Sequence, residues 1–138
     1  MNILGKASKA NLAGVHPDLV KVIEKAIKDS LIDFSITSGV RTTVEQKSLY
    51  AQGRTKPGAI VTNADGVKNK SNHQAKNDGY GYAIDFCPYI NGKLDWNTES
   101  NFKIVAQHIL DVAKCMGIKI EWGGIWRFKD LPHIQLKS

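Results

Sequence analysis

The sequence predicts an α+β domain in which a small antiparallel sheet is packed by helices. Three observations predict it. The segments with strand-like alternation are short, and one pair is joined by the hairpin signal Asn91-Gly92. Helical stripes are interspersed among them rather than alternating with long, wholly apolar strands, which disfavours a doubly wound parallel sheet. Finally, the 138 residues carry no internal repeat and no linker, so residues 1–138 read as one domain, without a separate binding module.

Taken in order, a short polar leader precedes His16-Pro17-Asp18-Leu19, which opens a helix with proline at an early position and an acid in the first turn. Leu19, Val22, Ile23, Ala26 and Ile27 then recur at helical spacing. Asp33 to Val40 alternates as a half-buried strand. A second helix runs from about Thr43 to Gln52, with Gly53 in the C-cap role. Residues 54–82 are rich in Gly, Asn, Lys and Asp, with turn signals at Pro57-Gly58 and Asp65-Gly66. A loop of that length in a compact domain is either functional or disordered.

Ala83 to Pro88 returns to strand character, with Ile84 and Phe86 facing the core and Ala83, Asp85 and Cys87 facing the sheet's other surface. Thr98 begins the longest helix, whose stripe is Phe102, Val105, Ala106, Ile109, Leu110, Ala113 and Met116, and Gly117 ends it. Ile118 to Trp122 alternates as a strand and Gly123-Gly124 breaks it. His133-Ile134-Gln135-Leu136 closes the chain, with Ile134 and Leu136 inward and His133 and Gln135 sharing the opposite face.

Composition narrows the function. A hydrophobic content of 42% and a charged content of 23% are those of a soluble globular protein. No apolar run reaches the roughly 20 residues that span a bilayer. The N-terminus lacks the apolar core of a secretory signal, so synthesis in the cytoplasm is expected, with any export by a separate route. The net charge of +6 favours a polyanionic partner. The basic residues are scattered without a run of five, which argues against nucleic acid. Cys87 and Cys115 have no metal-ligand spacing and are expected as small buried thiols.

Of the four histidines, His108 falls off its helix stripe and is expected in solvent, and His16 has the place of a helix cap. His73 differs. It stands late in the polar loop, close in sequence to the strand bearing Asp85, and aspartate is a poor strand former that needs a partner there. Pro132 keeps Asp130 and His133 off a helix, so His133 is presented by a strand with a carboxylate just upstream. His73, Asp85 and His133 make a two-nitrogen, one-oxygen set that suits zinc with a position left open. Spacing alone also admits two unrelated surface histidines and a salt-bridged aspartate. Asp130 is placed to act as general base, with Glu121 in reserve. Arg41 is the cation best placed to stabilise a developing oxyanion, against the plain reading of a surface arginine. No G-x-S-x-G motif, cysteine–histidine pair or phosphate-binding glycine loop competes.

Ser38-Gly39-Val40-Arg41-Thr42, Ser71-Asn72-His73, Gly81-Tyr82-Ala83-Ile84-Asp85 and Asp130-Leu131-Pro132-His133 stand in the order seen in zinc peptidases of the VanY and D-Ala-D-Ala carboxypeptidase type. Within them, the chain most resembles small phage endolysins that act as L-alanyl-D-glutamate peptidases, over about residues 17–137. The resemblance implies zinc on His73, Asp85 and His133, Asp130 as catalytic base and Arg41 as a catalytic and substrate-binding residue. Ser38 and Gln46 are assigned to substrate binding with it. The fold implied is the compact α+β one shared by D,D-peptidases and the Hedgehog signalling domain. One departure is the longer spacer between His73 and Asp85, residues 74–84, which resembles a loop insertion ahead of Gly81.

The function this implies is a zinc-dependent peptidoglycan hydrolase, a phage endolysin that cuts the L-Ala-D-Glu bond and lyses the host. It is expected to work as a monomer, without nucleic acid or stable membrane association. It is expected to stay in the host cytoplasm until a holin-type partner opens the way to the periplasm and wall. The alternatives are a D-alanyl-D-alanine carboxypeptidase with the same metal site and a non-catalytic, zinc-stabilised wall-binding module.

Overall fold

The computed structural model describes residues 2–137. Among them the chain forms α1 (Lys6–Asn11), α2 (Pro17–Lys28), β1 (Phe34–Ser38), α3 (Thr43–Ala51), β2 (Ala83–Ile90), β3 (Lys93–Leu94), α4 (Glu99–Cys115), β4 (Ile120–Trp122), a 3₁₀ turn (Gly123–Ile125) and β5 (His133–Leu136). The sheet is antiparallel throughout, in the order β1-β2-β5-β4, with β3 returning along β2 through the Asn91-Gly92 turn. Both turn residues have positive φ, 51° at Asn91 and 78° at Gly92, which is why this dipeptide closes the hairpin.

Register assigns the two faces. Ile84 pairs with Ile134, Ile134 with Trp122, and Ile36 with Phe86, so these side chains share one face. Against it pack the stripes of α2 (Leu19, Val22, Ile23, Ala26, Ile27) and α4 (Phe102, Val105, Ala106, Ile109, Ala113), all buried. The other face carries Ala83, Asp85, His133, Gln135 and Glu121, through the pairs Ala83–Gln135, Asp85–His133 and Glu121–Gln135. The expected alternation in β2 therefore holds in direction. Its opposite face is covered rather than open, however, since Ala83 and Cys87 are fully buried.

Three expectations are corrected. The polar leader is a helix, α1, whose buried contact is a serine rather than an apolar stripe. It lies along β1, an edge strand, and supplies what a neighbouring strand would have supplied. Ser8 Oγ accepts from the Ile36 N–H at 2.9 Å, and Asn11 Nδ2 donates to the Ile36 carbonyl at 2.8 Å. Cys115 lies exposed near the end of α4, while Cys87 is buried, its thiol pushed up to about 11 by desolvation; both are free. His108 is not in open solvent. Its Nε2 meets the Ala26 carbonyl at 2.8 Å and the Asp29 carboxylate at 3.1 Å, tying α4 to the end of α2. His16 does cap α2, accepting from the Asp18 N–H through Nδ1.

Candidate active site

Two strands and a loop converge on one point. Asp85 in β2 and His133 in β5 are direct cross-strand partners on the same face, the arrangement that brings antiparallel side chains closest. His133 Nδ1 lies 3.7 Å from Asp85 Oδ1. His73 arrives from the long loop between α3 and β2, and its Nε2 lies 3.4 Å from the same oxygen. The loop is anchored there because Arg41 N–H donates to the His73 carbonyl at 2.8 Å. One ligand atom from each of the three residues lies within 4.8 Å of the others.

The histidine from the loop is held in one tautomer. Its Nδ1 sits 2.9 Å from the Gly39 carbonyl, which can only accept, so Nδ1 carries the hydrogen and Nε2 a lone pair. Gly39 makes this possible, because a Cβ there would collide with the Asn11 carbonyl of α1. His73 is 1% exposed, and its Nε2 has no hydrogen-bond partner among the described residues. A buried, unpartnered nitrogen lone pair is costly unless something occupies it. Here it faces a carboxylate and a second imidazole. Two imidazole nitrogens and a carboxylate oxygen make a donor set that could hold a metal ion.

Charge is arranged accordingly. Burial raises the Asp85 carboxyl, but the adjoining His73, Arg41 and His133 outweigh it and hold it below the ordinary carboxylate range. Burial lowers His133, which favours the neutral, ligating imidazole. Burial also raises Asp130, against an opposing pull from His133. Asp130 stands half-exposed with Oδ2 3.8 Å from His133 Nδ1. Its loop is drawn close by the Asp130 N–H, which donates to the Gly123 carbonyl at 2.9 Å. Gly123 has no room for a side chain, since a Cβ would meet the Asp130 backbone and the His133 Cβ. His73, Asp85, Asp130 and His133 line a cleft of about 440 Å³ with Arg41, Thr62, Asn72 and Trp126.

Arg41 is in the cleft but is already engaged. Its Nη2 contacts Asp85 Oδ2 at 3.2 Å and its Nη1 contacts Gln46 Oε1 at 3.2 Å. It therefore orients Asp85 as well as presenting charge. Gln46, expected at the substrate, is instead fully buried in α3. Its amide nitrogen donates to Thr62 Oγ1 and the Ala64 carbonyl while its oxygen accepts from Arg41, so it touches no open surface. Ser38 lines an adjoining groove with Arg41, Glu45 and Leu49 rather than the cleft of the three ligands. Glu121 is committed to Gln135 and Trp126.

The sequence reading missed Gln74, 5% exposed, which binds the Gly66 carbonyl and the Ser71 N–H and folds the loop behind His73. It also missed Gln135 and Asn72, which join at 2.9 Å beside His133. The signal for Gln135 was present in its position, two residues past His133 on the same strand face.

Fold and site together define a small α+β domain built around a His-Asp-His cluster able to hold a metal ion, with a carboxylate beside it. The sequence model of the family described as phage L-alanyl-D-glutamate peptidase matches residues 2–135, and the chain belongs to that family. The match takes in α1, which the resemblance seen in the sequence motifs did not reach. The chain is 36% identical to the L-alanyl-D-glutamate peptidase of Escherichia phage T5, over 96% of this chain and 88% of that protein. It is 40% identical to the peptidoglycan L-alanyl-D-glutamate endopeptidase CwlK of Bacillus subtilis, over 88% of this chain and 73% of the relative. Its structure is similar to the crystal structure of the L-Ala D-Glu endopeptidase ChiX of Serratia marcescens. The TM-score is 0.73 and the identity 30%, covering 99% of this chain and 91% of the other.

Proposed function

We propose that this protein is a zinc-dependent peptidoglycan hydrolase that cleaves the L-alanyl-D-glutamate bond of the stem peptide and serves as a phage endolysin. The observation that carries the reading is the convergence of His73 Nε2, Asp85 Oδ1 and His133 Nδ1 at the floor of the cleft, with the Asp130 carboxylate beside them. The names of the T5, Bacillus and Serratia relatives support the choice of bond.

His73, Asp85 and His133 are the residues that hold the ion in this reading. When bound, zinc supplies Lewis acidity, polarising the scissile carbonyl and acidifying the attacking water. The remaining steps belong to the chain. Asp130 accepts the proton of the attacking water and returns it to the amine of D-Glu as the bond breaks. Arg41, held against Asp85, presents positive charge to the oxyanion and to the D-Glu α-carboxylate. Ser38 lines the adjoining groove that shares Arg41 with the cleft, and in this reading it meets a more distant part of the substrate there. Gln46 serves the cleft from behind by fixing Arg41.

In this reading the enzyme is a monomer that does not use nucleic acid. It waits in the host cytoplasm until a holin-type partner opens the route to the periplasm and wall. No helix among the described residues is long and apolar enough to cross a membrane. Mass spectrometry of purified peptidoglycan after digestion tests the bond. New N-terminal D-Glu groups are expected, and free D-Ala as the sole product would instead indicate a carboxypeptidase.

A further inference from the structure

We infer that Glu121 and Gln135 form a positioning relay that locks His133 as the Nε2–H tautomer, so that Nδ1 offers its lone pair beside Asp85 and His73. The inference takes from the proposed function only that His133 is a ligand. It begins in register: Glu121 and Gln135 are cross-strand partners in β4 and β5, and Gln135 shares a strand face with His133. The three side chains thus form one row across the sheet.

The chemistry of the row leaves a single solution. An amide side chain has a donating end and an accepting end, and its orientation is set by its partners. Glu121 Oε1 lies 2.7 Å from Gln135 Nε2, and a carboxylate only accepts, so the NH₂ end of Gln135 must face it. The oxygen end then faces His133 Nε2 at 2.7 Å, and also accepts from Asn72 Nδ2 at 2.9 Å. An amide oxygen cannot donate, so the hydrogen is on His133 Nε2. Nδ1, 3.7 Å from Asp85 Oδ1, is left with the lone pair. Trp126 Nε1 steadies the far end of the relay by donating to Glu121 Oε2 at 3.4 Å. His73 is locked in the opposite tautomer by Gly39, so the two rings reach one point through different nitrogens. Outer partners that fix a ligand's tautomer typically contribute 10–100-fold to metal affinity.

The decisive comparison is between Gln135→Glu and the exchanged pair Glu121→Gln with Gln135→Glu. The first sets two carboxylates against each other. The second restores a donor opposite an acceptor, now with residue 121 donating to residue 135, and keeps an acceptor against His133 Nε2. Two-bond ¹H–¹⁵N spectra of the metal-free proteins read the tautomer directly, and zinc competition titration reads affinity. In the wild type, His133 is expected as Nε2–H. Glu121→Gln, which frees the amide to turn, should mix the tautomers and weaken zinc about tenfold. Gln135→Glu alone should weaken it at least as much, and the exchanged pair should recover most of the loss. Finding Nδ1–H in the wild type, or finding Glu121→Gln unchanged in both readouts, overturns the relay. So does an exchanged pair that binds zinc no better than Gln135→Glu alone, since both keep an acceptor against His133 Nε2 and differ only in the repulsion between the two carboxylates. A wild type with the expected tautomer but no zinc binding would support the relay and sink the metal reading instead.

Discussion

The three candidate ligands are held by two different kinds of structure. Asp85 and His133 face each other across β2 and β5, flanked in sequence by the buried Ile84, Phe86 and Ile134. Their separation follows from strand register, which the whole ladder and the core beneath it enforce together. His73 instead belongs to the stretch between α3 and β2, which has no strand or helix of its own. Its place depends on individual polar contacts, chiefly the Gly39 carbonyl, the Arg41 N–H and the buried amides of Gln46 and Gln74. Register is redundant, whereas a loop held by single buried bonds is not, because each lost partner leaves an unsatisfied group behind. The sheet half of the site is thus the robust half, and the loop half is where its geometry can be broken or retuned.

The largest expected effect ignores that division. His73→Ala and His133→Ala should each remove stoichiometric metal and abolish hydrolysis, because a three-ligand site has none to spare. Metal analysis beside a peptidoglycan digestion assay checks this, and chelation of the wild type should do the same. Metal retained at full stoichiometry in either variant would show that its histidine is not a ligand.

Next in size is Asp130→Ala, which should keep its metal and lose about 10²–10⁴-fold in turnover, the usual contribution of a general base. Glu121→Gln should lose less, since both of its oxygens are engaged with Gln135 and Trp126 rather than aimed at the cleft. Turnover per bound metal is the measurement. A larger loss at Glu121 than at Asp130 would reverse the assignment of the base.

The same division explains what was legible in the sequence. Period-two and helical patterns report which face a residue takes, so the face of Asp85 and His133 and the stripes of α2 and α4 could be read residue by residue. The order of the motifs pointed to the three residues that the structure brings within 4.8 Å of one another. The roles of Gln46 and Gln74 could not be read, because a buried glutamine in a helix or loop looks in sequence like an exposed one. Its burial depends on which distant carbonyls need a donor, here those of Ala64 and Gly66. Helix α1 was hidden for a related reason. It buries a serine against the sheet edge, so it lacks the apolar stripe by which a helix announces itself. Cys115 misled because cysteine's usual burial is a preference of the residue type and not of a position.

The smallest expected effect is the one that separates the two halves. Gln46→Leu keeps the volume of a fully buried side chain but removes its donor from Thr62 and Ala64 and its acceptor from Arg41. A buried polar group left unpartnered costs about 1–3 kcal/mol, which is felt where the loop must open rather than across the sheet. Hydrogen exchange should therefore quicken by roughly tenfold or more at loop amides such as Gly66 and Gln74. The β2 and β5 amides of Ile84 and Ile134 should be little changed. Freed from Gln46, Arg41 keeps its contact with Asp85 but loses a fixed plane, so KM should rise more than kcat falls. Equal loosening of loop and sheet would mean that the two halves open as one cooperative unit, and the distinction between register and single bonds would not survive.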